Sequence, residues 1–258
     1  MINQQDPEGR TQLYIASRDG QIDIVKDLLT KNADVNIPRD DGHTALMIAS
    51  QNNHFDVVKL LVENNADINA YNEEGVTPLI KASFHNNYEI AEYLIQKGAD
   101  VNVMRTPRNY TALLLASNYG HFKIAELLVK NGANINLFCD DNTPLNNSLR
   151  SKHYNITKLL LDNDADCNLG FDVHYPIVIA IIFCSPEILQ YLISKGADVN
   201  IKLTKGITPI IFAIDNDKPN MLKILIENGA DKTIKFAGQT PLEIAIRLDH
   251  TECVQLLT

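Results

Sequence analysis

The sequence predicts an all-α solenoid of stacked helix-turn-helix units, and three observations carry that prediction. The segment TALMIAS at 44–50 returns as TPLIKAS at 77–83, and its leading residue recurs as Thr11, Thr44, Thr77, Thr111, Thr143, Tyr175, Thr208 and Thr240. The successive spacings are 33, 33, 34, 32, 32, 33 and 32 residues, which marks repeated supersecondary units that must stack to bury an apolar face. A second landmark keeps the same phase: N-A-D-V-N from Asn32, N-A-D-I-N from Asn65, G-A-D-V-N from Gly98 and Gly196, and G-A-N-I-N from Gly132. Between the landmarks the apolar residues follow helical spacing.

Each element of one unit follows from its residues. The recurring Thr is placed as a helix N-cap whose hydroxyl accepts from an unpaired amide. Pro78, Pro144, Pro209 and Pro241 stand just inside the helix, where a missing N–H costs nothing. Leu46 with Ala49, and Leu79 with Ala82, give a short first helix one apolar face, the small Ala letting its neighbour approach closely. The second helix is more strongly amphipathic, with Val57, Val58, Leu60 and Leu61 in one unit matched by Ile124, Ala125, Leu127 and Leu128 in another. Gly98, Gly132, Gly196 and Gly229 sit at its C-terminal cap, replaced by Asn32, Asn65 and Asp164 elsewhere. Together these units predict one domain over 1–258 with eight repeats, starting near 6, 39, 72, 106, 138, 170, 203 and 235. The last one stops inside its second helix at Leu257, which predicts a frayed, mobile end.

This pattern resembles the ankyrin-repeat family, whose unit of about 33 residues carries a T-P-L-H-x-A signature, and the resemblance covers essentially the whole chain. It implies β-hairpin fingers between units and partner binding along a concave groove lined by finger tips and first-helix ends. The signature His is absent everywhere, its place held by Tyr14, Met47, Ile80, Leu114, Asn146, Val178, Ile211 and Glu243, so the usual Thr–His hydrogen bond cannot form. The resemblance also implies that Asn36, Asn69, Asn102, Asn136, Asn168 and Asn200 are either hairpin stabilisers or substrates of an asparaginyl hydroxylase. The finger Gly of the other units is replaced by Asn109, Asp141 and Val173, and because a β-branched residue tolerates positive φ poorly, the finger at Val173 must be rebuilt.

Composition excludes several functions. The 258 residues hold 23 Lys+Arg against 32 Asp+Glu, a net charge of −9, which repels phosphate and argues against nucleic-acid binding. Residues 1–102 carry 8 basic and 16 acidic residues, so the acidic excess lies early. Asp40, Asp41, Glu73 and Glu74 are expected as solvated finger tips. No apolar run could span a bilayer and residues 1–10 are polar, so the expected setting is cytoplasmic, with export to a host cell as the alternative for a microbial source. Cys139, Cys167, Cys184 and Cys253 lie 28, 17 and 69 residues apart, without zinc-type pairing, and are read as reduced structural thiols. His54, His121, His153 and His250 share one repeat position and are read as ties between the inter-helix turn and neighbouring carbonyls.

No nucleophile has an adjacent base, and no metal or phosphate-binding motif is present, so the chain is expected to be no enzyme and to use no cofactor or metal. The functional prediction is a monomeric, non-catalytic protein-interaction scaffold or competitive inhibitor. The alternatives are the ankyrin regulatory portion of a larger enzyme, or a microbial effector acting on host proteins. The candidate protein-binding residues, projected from the repeat register, are Phe84, His85, Arg108, Tyr110, Asn118, Tyr119, Arg150, Ile182 and Phe183, because aromatics and Arg amid polar groups form binding hot spots. The Ile-rich stretch 177–183 has a second reading as buried helix core.

Overall fold

The computed structural model describes residues 2–104, 110–139 and 142–258. Two compact units divide the chain, Met1–Asn134 and Ile135–Thr258. In the first unit the helices pair as α1 (Gln12–Arg18) with α2 (Ile22–Thr30), α3 (Ala45–Gln51) with α4 (Phe55–Glu63), α5 (Pro78–Phe84) with α6 (Tyr88–Gln96), and α7 (Ala112–Tyr119) with α8 (Phe122–Lys130). In the second they pair as α9 (Pro144–Arg150) with α10 (Tyr154–Asp162), α11 (Pro176–Phe183) with α12 (Pro186–Ser194), α13 (Pro209–Asp215) with α14 (Pro219–Glu227), and α15 (Pro241–Arg247) with α16 (Thr251–Leu257). Within each unit odd-numbered helices pack on odd-numbered neighbours to form a first-helix layer.

The first helices begin where the Thr residues place them. Thr11, Thr44, Thr77, Thr111 and Thr143 accept from the amide three residues on at 3.0–3.3 Å. Thr240 adds a full capping box with Glu243. Two units depart from the expected cap: Tyr175 has no Cβ hydroxyl to offer, and the buried Thr208 hydroxyl makes no bond. Ala49, Ala82, Ala116, Ala180, Ala213 and Ala245 are all fully buried between first helices. Ala49→Leu is therefore expected to destabilise by about 1–3 kcal/mol through overpacking. An unchanged midpoint in a urea titration would show that α3 is not held against its neighbours at this position.

The polar landmark proves to be a staple between successive helix pairs. Asp34, Asp67, Asp100, Asp166, Asp198 and Asp231 each accept, through Oδ1, from the amide two residues on at 2.8–2.9 Å, and that residue is Asn in all of them but the last, where it is Thr233. The Asn of one landmark then reaches the next. Asn69 Nδ2 donates to the Gly98 carbonyl at 3.3 Å while its Oδ1 accepts from the Asp100 amide at 2.9 Å. Asn36, Asn102, Asn136, Asn168 and Asn200 repeat this two-ended bond. The family motif is thus explained by hydrogen-bond satisfaction: in six successive landmarks one side-chain amide meets both the carbonyl just beyond a second helix and an amide of the turn that follows it.

The fingers are shorter than hairpins. Among the described residues there is no strand, only the isolated bridges Cys139–Asn142 and Phe236–Gln239. A typical finger closes as a tight turn, with the Gly42 amide donating to the Arg39 carbonyl and the Arg39 amide to the His43 carbonyl, both at 2.8 Å. With so few residues between turn and helix, no ladder can extend. The rebuilt finger at Val173 takes a 3-10 turn over Asp172–His174, and Asp172, not Val173, carries the positive φ of 50°. Asn109 and Asp141, the other replaced turn positions, lie outside the described residues. The last helix, α16, is hydrogen-bonded through Thr258 N–H to the Val254 carbonyl, and Leu257 is buried. No described helix is long and apolar enough to cross a membrane.

Candidate functional site

In the first unit, α5 and α7 end one beside the other and each ends on an aromatic ring. On α5, Pro78, Leu79, Ile80, Ala82 and Ser83 are buried, and the helix runs out at Phe84, which is 39% exposed. On α7, Ala112, Leu113, Leu114, Ala116 and Ser117 are buried and Tyr119 is 48% exposed. The two rings meet edge to face with centroids 4.9 Å apart, a favoured arrangement for aromatic pairs. His85 also meets Phe84 edge to face at 4.9 Å, and His121 stacks on Tyr119 at 6.1 Å. Four rings from two consecutive helix ends therefore form one exposed cluster.

Backbone ties hold this cluster in place. His121 Nε2 lies 3.0 Å from the Phe84 carbonyl, which fixes the α7–α8 turn on the end of α5. The same tie recurs as His54 to the Arg18 carbonyl at 3.0 Å and His250 Nδ1 to the Ile214 carbonyl at 2.8 Å. In the third repeat, where Asn87 stands in place of the His, its Nδ2 donates to the Ser50 and Gln51 carbonyls at 2.8 and 3.0 Å. The imidazoles of His54, His121 and His250 are thus structural ties, and His121 additionally contributes a ring to the exposed cluster. Its periodic position concealed that second role in the sequence.

The electrostatics of the patch centre on Lys81, which precedes Phe84 by three residues and His85 by four, so the three share one side of α5. Burial lowers the Lys81 pKa against the opposing pull of Glu74 and Asp41. Burial, then the charges of Lys81 and His121, lower that of His85. Sequence reasoning missed Lys81, although a signal existed. The same repeat position holds Ile15, Ile48, Leu115, Ile179, Phe212 and Ile244, with Asn147 the other polar exception.

The remaining predicted residues divide between the units. Tyr110 is 42% exposed and Asn118 is exposed at the end of α7. Arg108 lies outside the described residues. In the second unit Arg150 is half-buried and its Nη1 donates to Asn142 Oδ1 at 2.7 Å. Both readings of the Ile-rich stretch hold in part: residues 177–181 are buried, Ile182 is half-buried, and Phe183 is 42% exposed at the helix end. The structure brings Phe84, His85 and Tyr119 into one contacting cluster.

Asp41 departs from its expected place as a solvated tip. It is partly buried and bonded by the Arg39 guanidinium, with His43 Nδ1 at 3.1 Å and the His43 amide at 3.2 Å. Burial raises its pKa, but the His43 and Arg39 contacts together outweigh this and hold it below the usual carboxylate value. His43 in turn lies 3.3 Å from Asn72 Nδ2 on the next finger. A finger tip that looks like free acid in the sequence is therefore part of the contact between fingers.

The thiols match their structural reading. Cys184 Sγ donates to the Leu149 carbonyl at 3.5 Å, near where other units use a His or Asn tie, and burial pushes its pKa up to about 12. Burial and the neighbouring Asp217 push Cys253 to about 11. Because the thiolate is the reactive form, iodoacetamide at pH 8 is expected to leave both unlabelled in the native protein and to label both in guanidinium. Native labelling at the rate of a free cysteine, read by mass spectrometry of the peptides, would contradict this. Among the described residues no cluster of three or more His, Cys, Asp or Glu side chains has the arrangement of a metal site.

Comparison with curated proteins returns no match. The family model described as ankyrin repeats (3 copies) matches residues 13–105, 103–170 and 177–258. These matches cover nearly all of the chain and coincide with the helix pairs, Thr caps and asparagine staples described above, so the chain belongs to the ankyrin-repeat family.

Proposed function

We propose that this chain is a non-catalytic protein-interaction scaffold or competitive inhibitor that binds its partner protein through finger tips and first-helix ends. Ankyrin repeats generally mediate protein–protein interaction, and one observation supports this face: the Phe84–Tyr119 pair is exposed at the ends of two helices that otherwise bury nearly all their apolar side chains. Rigid rings held by backbone ties are suited to be anchors, since binding then orders little that is not already ordered. Phe183, with Ile182 and Arg150, offers a second contact in the other unit. Eight repeats and a monomeric, cytoplasmic scaffold complete the reading, and equilibrium sedimentation tests the monomer.

The experiment is affinity capture from cell lysate with wild type, Phe84→Ala/Tyr119→Ala and Phe183→Ala, each with an unchanged circular dichroism spectrum. Hot-spot truncations cost about 2 kcal/mol or more each, so the double variant is expected to lose a partner that wild type retains. Equal capture by wild type and all variants would reject these helix ends as the binding face.

A further inference from the structure

The patch on α5 and α7 contains a chemical asymmetry that narrows its partner. Lys81 is half-buried where neighbouring repeats place Ile48 and Leu115, and among the described residues no carboxylate lies within ion-pairing distance of its ammonium. Of the two finger carboxylates that act on Lys81, Glu74 is an exposed finger-tip residue that makes no ion pair with it, and Asp41 is already engaged by Arg39 and His43. His85, four residues on, is kept from becoming a second cation by burial and by the charges of Lys81 and His121. The site thus presents one half-buried ammonium on the side of α5 that ends in the exposed Phe84–Tyr119 pair. A half-buried cation that no carboxylate contacts directly is unfavourable, and a partner carboxylate would relieve it.

The surroundings also limit how much negative charge a partner can bring. Residues 1–134 carry 12 Lys+Arg against 17 Asp+Glu, and Glu74 and Asp41 act on Lys81 from the fingers. An acidic run would be repelled by this field, whereas a single carboxylate set among apolar residues would meet Lys81 and leave the rest of the contact to the rings. Resting on the binding reading above, we infer that this patch takes a protein segment carrying one Asp or Glu side chain between large apolar residues, the carboxylate paired with Lys81 and an apolar side chain laid across the Phe84–Tyr119 pair.

The test uses the full chain as bait for random nine-residue peptides displayed on phage, with Phe84→Ala/Tyr119→Ala as a counter-bait. Wild type is expected to enrich peptides with one Asp or Glu within three residues of Leu, Ile or Phe. For the best peptide, changing the acid to its amide should weaken Kd about tenfold, as expected for loss of a charge-assisted bond. Lys81→Met should do the same, and the two changes together should cost no more than either alone. Lys81→Glu should turn the enriched charge to Lys or Arg. Peptides that need the rings but show no acid preference, or acid and Lys81 effects that add independently, would overturn the carboxylate assignment and leave the binding face standing. Equal enrichment on wild type and the ring variant would overturn both. Circular dichroism of each variant separates loss of contact from loss of fold.

Discussion

Leu94→Ala is expected to destabilise the first unit by about 2–5 kcal/mol, the range for emptying a fully buried leucine site that cannot collapse. Leu94 lies on α6 with no exposed surface, and α6 packs on α5, α4 and α8. The helix is thus packed against three others, and emptying its fully buried Leu94 site leaves a cavity within that packing. In a stacked array stability is a sum of unit terms and nearest-neighbour interfaces, so the loss falls on both interfaces that α6 makes. Guanidinium unfolding followed by circular dichroism should show the earlier transition, and amide exchange should show protection lost across α4 to α8. A loss below about 1 kcal/mol would mean that the second-helix layer is not closely packed.

Gly42→Val should strongly destabilise its finger, and its comparison with Gly206→Val separates two causes. Both glycines occupy the turn of a finger with positive φ, +82° and +79°. A β-branched residue there is strained by at least about 1–2 kcal/mol at either position. Only Gly42 also has a neighbour in the way: a Cβ would sit 2.8 Å from the Asn72 Cα, whereas nothing lies within 4 Å of a Cβ at Gly206. The backbone of the next finger is held there by the bond from the Glu73 amide to the Asp41 carbonyl at 3.2 Å, so it cannot move away freely. Displacing it adds about 1–3 kcal/mol. Thermal melts of the two variants should therefore differ, Gly42→Val lying lower. Equal melting temperatures would show that turn strain alone acts and that the finger contact contributes nothing.

Much of this arrangement was legible because it is local and repeated. Thr caps, helix spacing and cap residues follow from interactions within a few residues, and Asn32, Asn65 and Asp164 do adopt positive φ of 59–64° where Gly stands in other units. The recurrence of His at one position identified it as a scaffold tie, since a residue that serves the fold reappears with the fold's period. Leu60 is half-buried although its stripe predicted burial, because the apolar face of α4 is wider than the surface its neighbours cover.

The candidate site was less legible because it arises from contacts between residues one repeat apart. Phe84 and Tyr119 could be named from their register, yet only packing shows that their rings meet and that His85 and His121 complete the cluster. Asp41 reads as a free acid until the fold brings Arg39 and His43 round it. Lys81 reads as one charge among many until the fold half-buries it with no carboxylate among the described residues at ion-pairing distance.

By itself the sequence determined the repeat period, the helix pairs and the family, since periodic apolar spacing and local caps depend on neighbours along the chain. Tertiary structure decided that the landmark Asn is a two-ended staple, that α11 buries most of its length, and that one lysine and four rings share a surface. Those outcomes depend on which side chains lie about 30 residues apart in sequence but within hydrogen-bonding or ring-contact distance in space, and no local pattern specifies that distance.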